Sequence, residues 1–107
     1  MPYYLYQDAY TAEAWAAQVK NPQDRVEAVR PVVERLGGRI VNAWLSFGEY
    51  DVVAILEMPD NVSVAAFAIA VAASGAVKAG KTTPLLTPQE WVEAARKAGG
   101  LSYQPPR

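Results

Sequence analysis

Apolar and polar positions alternate along the chain with two different periods, and the switches between them mark the elements. Tyr3–Tyr10 (YYLYQDAY) is rich in Tyr and is predicted as a strand. Thr11 is placed to cap a short helix over Ala12–Val19. Asn21-Pro22-Gln23-Asp24 has the form of a helix start, with Asn at the cap, Pro at the first position and an acid at the third. Val26, Val29, Val33 and Leu36 then recur at helical spacing until Gly37-Gly38 stops the helix, with a kink or break expected at Pro31. Arg39–Phe47 and Tyr50–Met58 read as strands around Gly48-Glu49, a loop that predicts a tight type II′ hairpin. Asp60 is placed to cap a helix from Asn61 to Ser74, which Gly75 ends. Val77–Leu86 is predicted as a strand, and Pro84 assigns it to a sheet edge. Thr87-Pro88-Gln89-Glu90 forms a capping box opening a last helix that runs to Ala98, before Gly99-Gly100.

The order is β-(short α)-α-β-β-α-β-α. Without the short helix after the first strand and the C-terminal helix, this is βαββαβ, the ferredoxin-like split β-α-β arrangement. The expectation is an α+β fold with a four-stranded antiparallel sheet. Residues 1–100 make a single domain, and the tail 101–107 (LSYQPPR) is expected to be flexible.

Pairing outward from Gly48-Glu49 sorts the hairpin into two faces. Phe47, Tyr50, Leu45, Val52, Ala43, Ala54, Val41, Leu56 and Met58 fall on one, which is apolar and is expected under the helices. Ser46, Asp51, Trp44, Val53, Asn42, Ile55, Ile40 and Glu57 fall on the other. That mixed face would leave a large apolar patch in a lone subunit, so it predicts a homo-oligomer joined through the open sheet face. The helix at 61–74 is apolar almost all round, which points the same way.

Composition narrows the chemistry. The 107 residues are 51% apolar and 20% charged with net charge −1, a globular composition with no basic cluster for nucleic acid. There is no cysteine and no histidine. Disulfides, thiolate metal sites, thiol nucleophiles and imidazole bases are thereby excluded. No cofactor and no metal are expected. The N-terminus lacks the form of a signal peptide, and the uncharged stretch 61–77 is too short to span a bilayer, so a cytoplasmic protein without membrane association is expected.

Gly75–Thr82 (GAVKAGKT) matches the phosphate-loop pattern G-x-x-x-x-G-K-[ST]. The motif needs a strand before it and a helix after it. Here a helix ends at Gly75, and Thr83-Pro84 follows Thr82 in a form that disfavours a helix. Nucleotide binding is therefore not expected.

Gly48-Glu49-Tyr50-Asp51, Glu57-Met58-Pro59-Asp60, Gly37-Gly38, Arg25 within PQDRVEAVR, and Gly75-Ala76-Val77 with Lys81-Thr82-Thr83 together resemble the GYD domain family over about residues 20–90. Gly80 departs from the apolar residue expected before Lys81. The resemblance implies a ferredoxin-like fold akin to the dimeric α/β barrels; it carries no activity with it.

The candidate catalytic residue is Asp51, a carboxylate at the hairpin end of the mixed face that is placed to act as a base if desolvated. The alternative role for an Asp beside a turn is to satisfy backbone amides. Trp44, Asn42, Ser46, Tyr50, Arg25, Tyr4 and Tyr6 are the candidate ligand-binding residues. Tyr4, Tyr6 and Asp8 share one parity on the first strand; whether they join the mixed face depends on the register of that strand, which the sequence leaves open. Two functional classes follow: a small-molecule-binding or structural module with a cavity between sheets, or a cofactor-independent enzyme, isomerase- or monooxygenase-like, using Asp51 on a small organic substrate.

Overall fold

The computed structural model describes residues 1–107. Its elements are β1 (Tyr3–Tyr10), α1 (Ala12–Lys20), α2 (Arg25–Arg35), β2 (Arg39–Leu45), β3 (Val52–Glu57), α3 (Asn61–Ala73), β4 (Val77–Leu85) and α4 (Pro88–Gly99). The strands form one antiparallel sheet in the order β2-β3-β1-β4. This is the ferredoxin-like arrangement with α1 and α4 added. Pro84 lies on β4, which is an edge strand, where its missing amide breaks no ladder.

Local chemistry sets the helix boundaries. The Thr11, Asp60 and Thr87 side chains accept from the amides of Ala14, Ser63 and Glu90, and Glu90 returns a bond to the Thr87 amide. The α2 cap is Asp24 and not Asn21: Asp24 Oδ1 accepts from Glu27 N at 3.1 Å. Asn21 instead closes α1, donating its amide to Ala17. The residue before a proline is disfavoured in helical geometry, so Pro22 stops α1 from running on through Asn21. Pro31 does not break α2, which runs on to Arg35; the proline is exposed, where water can satisfy the carbonyl left unbonded.

The core lies between the sheet and the layer made by α2 and α3. Tyr4, Tyr6, Ile40, Ala54, Leu56 and Met58 meet Val33 of α2 and Val64 and Phe67 of α3. Gly38 sits against Met58 so closely that a Cβ would lie 2.6 Å from the Glu57 carbonyl oxygen, and Gly37 before it has φ +85°. Gly37-Gly38 therefore ends α2 and lets β2 start flush against β3.

Two features change the faces predicted from the hairpin. The strands end at Leu45 and begin at Val52, and residues 46–51 form a longer connection. A type II′ turn needs positive φ at its first central residue, and Gly48 does not have it. Phe47 is fully exposed at 100% and does not pair with Tyr50 on the helix side. Further out, Leu45–Val52, Trp44–Val53, Ala43–Ala54 and Asn42–Ile55 pair as predicted. A bulge at Val41 then shifts the register, so Ile40 pairs with Leu56 and is buried under the helices while Val41 is exposed. The extra residue in a bulge reverses the alternation beyond it.

Tyr4, Tyr6 and Asp8 lie on the helix side and not on the mixed face. Tyr4 pairs with Leu56, Tyr6 with Ala54 and Asp8 with Val52, so they share the face of those residues. The opposite face carries Tyr3, Leu5 and Gln7 of β1, Asn42 and Trp44 of β2, and Val53, Ile55 and Glu57 of β3. Trp44 is 55% exposed there, and Leu5, Val53 and Ile55 are half-buried. Arg39 and Glu57 pair across the strands at 2.6 Å.

Candidate functional site

The helix layer does not seal the sheet. A cavity of about 280 Å³ lies between the sheet and α2 and α3, walled almost wholly by apolar side chains such as Val26, Val29, Ala54, Phe67 and Val71. α2 bears on β2 and α3 on β4. The wall residues Ala28, Val32, Ala70 and Ser74 are exposed, which puts the mouth between the two helices.

Apart from Ser74 at the mouth, the polar groups of the cavity come from one parity of β1 and the start of α2: Tyr6, Asp8, Tyr10 and Arg25. Asp8 is only 5% exposed. Tyr6 donates its hydroxyl to Asp8 Oδ2 at 3.0 Å, while Asp8 Oδ1 is buried without a hydrogen-bond partner. A buried polar atom without a partner is uncommon and costly, and this one lies in a residue of the cavity wall. Burial raises the Asp8 pKa above the ordinary carboxylate value; the Tyr6 hydrogen bond opposes this, and the nearby Asp51 adds to it. Burial also pushes up both phenols. For Tyr10 the Asp8 charge adds to the rise and Arg25 works against it. Tyr6 is held by its ring, tilted against Phe67 with centroids 5.0 Å apart.

Asp51 is buried at the start of β3, and its carboxylate is engaged: Oδ2 accepts the Tyr10 amide at 2.9 Å. Its own amide donates to the Asp8 carbonyl at 2.8 Å, and its carbonyl accepts from Ser46 N. Asp51 thus ties the end of β1 to the connection between β2 and β3, the amide-satisfying role of an Asp beside a turn. It lies next to the cavity's polar end and is not among the wall residues.

The other sequence candidates separate. Tyr6 and Arg25 join the cavity. Tyr4 lies deeper in the core, its hydroxyl donating to Asn61 Oδ1 at 2.6 Å. Ser46 donates its hydroxyl to the Tyr50 carbonyl within the connecting segment. Trp44 and Asn42 stand on the open face, where the Asn42 side chain accepts the Ala43 amide. Asp8 and Tyr10 are the site groups that residue types alone did not single out. The signal for Asp8 was an acid continuing the Tyr4, Tyr6 parity of a strand.

GAVKAGKT has the reverse of phosphate-loop order. Gly75, at φ +78°, ends α3, and Lys81 and Thr82 lie within β4. No group of three or more acidic, His or Cys residues is placed to hold a metal, and no helix is long and apolar enough to cross a membrane.

Fold and site together define a ferredoxin-like α+β domain with an apolar helix–sheet cavity anchored by one buried carboxylate. The chain belongs to the GYD domain family, whose model matches residues 4–95. No curated protein and no solved structure matches it.

Proposed function

We propose that the protein binds a small, mostly apolar molecule in the helix–sheet cavity, and that the molecule presents one hydroxyl or N–H donor to Asp8 Oδ1. The observation that carries this reading is the unpartnered oxygen of Asp8, a wall residue at the polar end of a mostly apolar chamber. A volume of about 280 Å³ is near the lower end of the roughly 300–1,000 Å³ of ligand pockets, which favours a compact molecule. Arg25, half-buried at the start of α2, adds a positive charge at the polar end.

A matched pair of probes tests the reading. 2-Naphthol and naphthalene share an apolar body and differ by one hydroxyl. A hydrogen bond to a charged group is worth about 1.5–3 kcal/mol, so 2-naphthol is expected to bind about 10–100-fold more tightly. Asp8→Asn is expected to reduce that preference to a few-fold, and Ala70→Trp, at the mouth, to block both probes. Equal affinity for the two, or binding indifferent to Ala70→Trp, rules the reading out.

The same oxygen supports a second reading, cofactor-independent proton abstraction. Asp8, with a raised pKa and a free oxygen, is better placed as the base than Asp51, whose carboxylate is already bonded to Tyr10 N. Turnover of a weak carbon acid that vanishes in Asp8→Asn but survives in Asp51→Asn would favour it over binding alone.

A further inference from the structure

The chain is far from compact. Its radius of gyration is 17.2 Å, where about 13 Å is expected for a chain of this length. Its accessible surface is 7580 Å², roughly 1,700 Å² more than a compact monomer of its mass exposes. α4 and the tail behind it are one source of the excess. α4 contributes no buried residue, and none of the core residues comes from it.

α4 is nevertheless built to pack. Trp91, Ala94, Ala95 and Ala98 fall on one side at helical spacing, with Val92 beside them, and Gln89, Glu93, Arg96 and Lys97 fall on the other. Trp91 is 67% exposed, and Leu86 and Leu101 at the two ends of the helix are exposed as well. A capping box and an N-terminal Pro fix where the helix begins, so it is a formed element. The second unpartnered surface is the open face of the sheet, with Trp44, Leu5, Val53 and Ile55.

We propose that α4 is a clasp that packs its Trp91 side across the open sheet face of a second copy of this chain, and that the exchange is reciprocal. A stable interface needs about 800 Å² from each partner, and the excess surface of one chain is about twice that. Both unsatisfied surfaces belong to the same chain, one a ridge and one a flat face. A two-fold pairing buries both in both copies at once, as an isologous interface requires. A foreign partner would have to match two separate patches.

The absence of cysteine makes a clean test possible in the full chain. The wild-type protein is expected to be a dimer at micromolar concentration by native mass spectrometry and sedimentation equilibrium. Trp91→Glu is expected to weaken it about 100-fold, in the range of an interface hot spot, with an unchanged circular dichroism spectrum. An oxidised mixture of Ala95→Cys and Gln7→Cys chains is expected to give a covalent heterodimer. A monomeric wild type overturns the proposal. So does a dimer that ignores Trp91→Glu but dissociates in Trp44→Lys, since its sheets would meet without the clasp. A mixture that fails to cross-link overturns it also.

Discussion

Asp8 is an acid that the fold keeps short of hydrogen-bond partners, and its titration reports on the cavity directly. Because its pKa is raised in the native state, folded protein holds the proton more firmly than the unfolded chain. Stability therefore falls as pH rises from the ordinary Asp value through the raised one and is flat above it. Asp8→Asn removes this dependence. The variant is expected to melt a few degrees above wild type at neutral pH and to lose that advantage at a pH below the ordinary Asp value, as scanning calorimetry at the two pH values would show. Tyr6→Phe removes the hydrogen bond that favours the ionised form, so the Asp8 titration, followed by carboxyl NMR shifts, is expected to move further upward. Gly38 is constrained by close approach. Gly38→Ala forces a methyl group against Met58 and the Glu57 carbonyl, and is expected to cost about 1–3 kcal/mol in urea unfolding. The shared parity of Tyr4, Tyr6 and Asp8 was legible in the sequence because alternation is local. Their face was not, because it depends on pairing with Ala54 and Leu56, far along the chain.

At the scale of elements, three of the four helix caps could be read directly, while the break expected at Pro31 does not occur. Thr11, Asp60 and the Thr87–Glu90 box act where their side chains can reach an orphan amide, and that reach spans only a few residues. At 21–24 the Asn-Pro-Gln-Asp form pointed to a cap at Asn21, but the helix begins three residues later and Asp24 takes that role. The hairpin was readable between Asn42–Ile55 and Leu45–Val52, and misread at both ends. Near the turn, the Ser46 and Asp51 backbone contacts replace a two-residue loop. Beyond Asn42, one inserted residue reverses the faces, and nothing in the residue types of Ile40-Val41 announces it. The bulge makes a sharp prediction about that pair. Ile40→Asp buries a charge in the core and is expected to abolish folding, while Val41→Asp is expected to change stability by no more than about 0.5 kcal/mol. Urea melts of the two variants would decide it, and an unbulged strand requires the opposite result.

At the scale of the molecule, element order was enough to give the ferredoxin-like topology, since a split β-α-β unit leaves few ways to arrange its strands. The cavity was not legible. It arises from how far α2 and α3 stand apart on the sheet, and their apolar faces look the same whether they meet closely or leave a chamber. Hydrogen exchange is expected to order the layers: amides of β1 and β3, the central strands, exchange most slowly, and those of α2 and α3 faster. 2-Naphthol is expected to slow exchange in the two helices and leave the central strands unchanged, and a uniform slowing across all elements would contradict a site under the helix layer.

The mounting of α2 on β2 and of α3 on β4 also determines how the chamber exchanges its contents. The floor is a hydrogen-bonded sheet, and the roof is two helices seated over its opposite edge strands. With the mouth already lying between the two helices, a molecule taken up by the chamber is expected to enter and leave without global unfolding, displacements of the helices only widening the way.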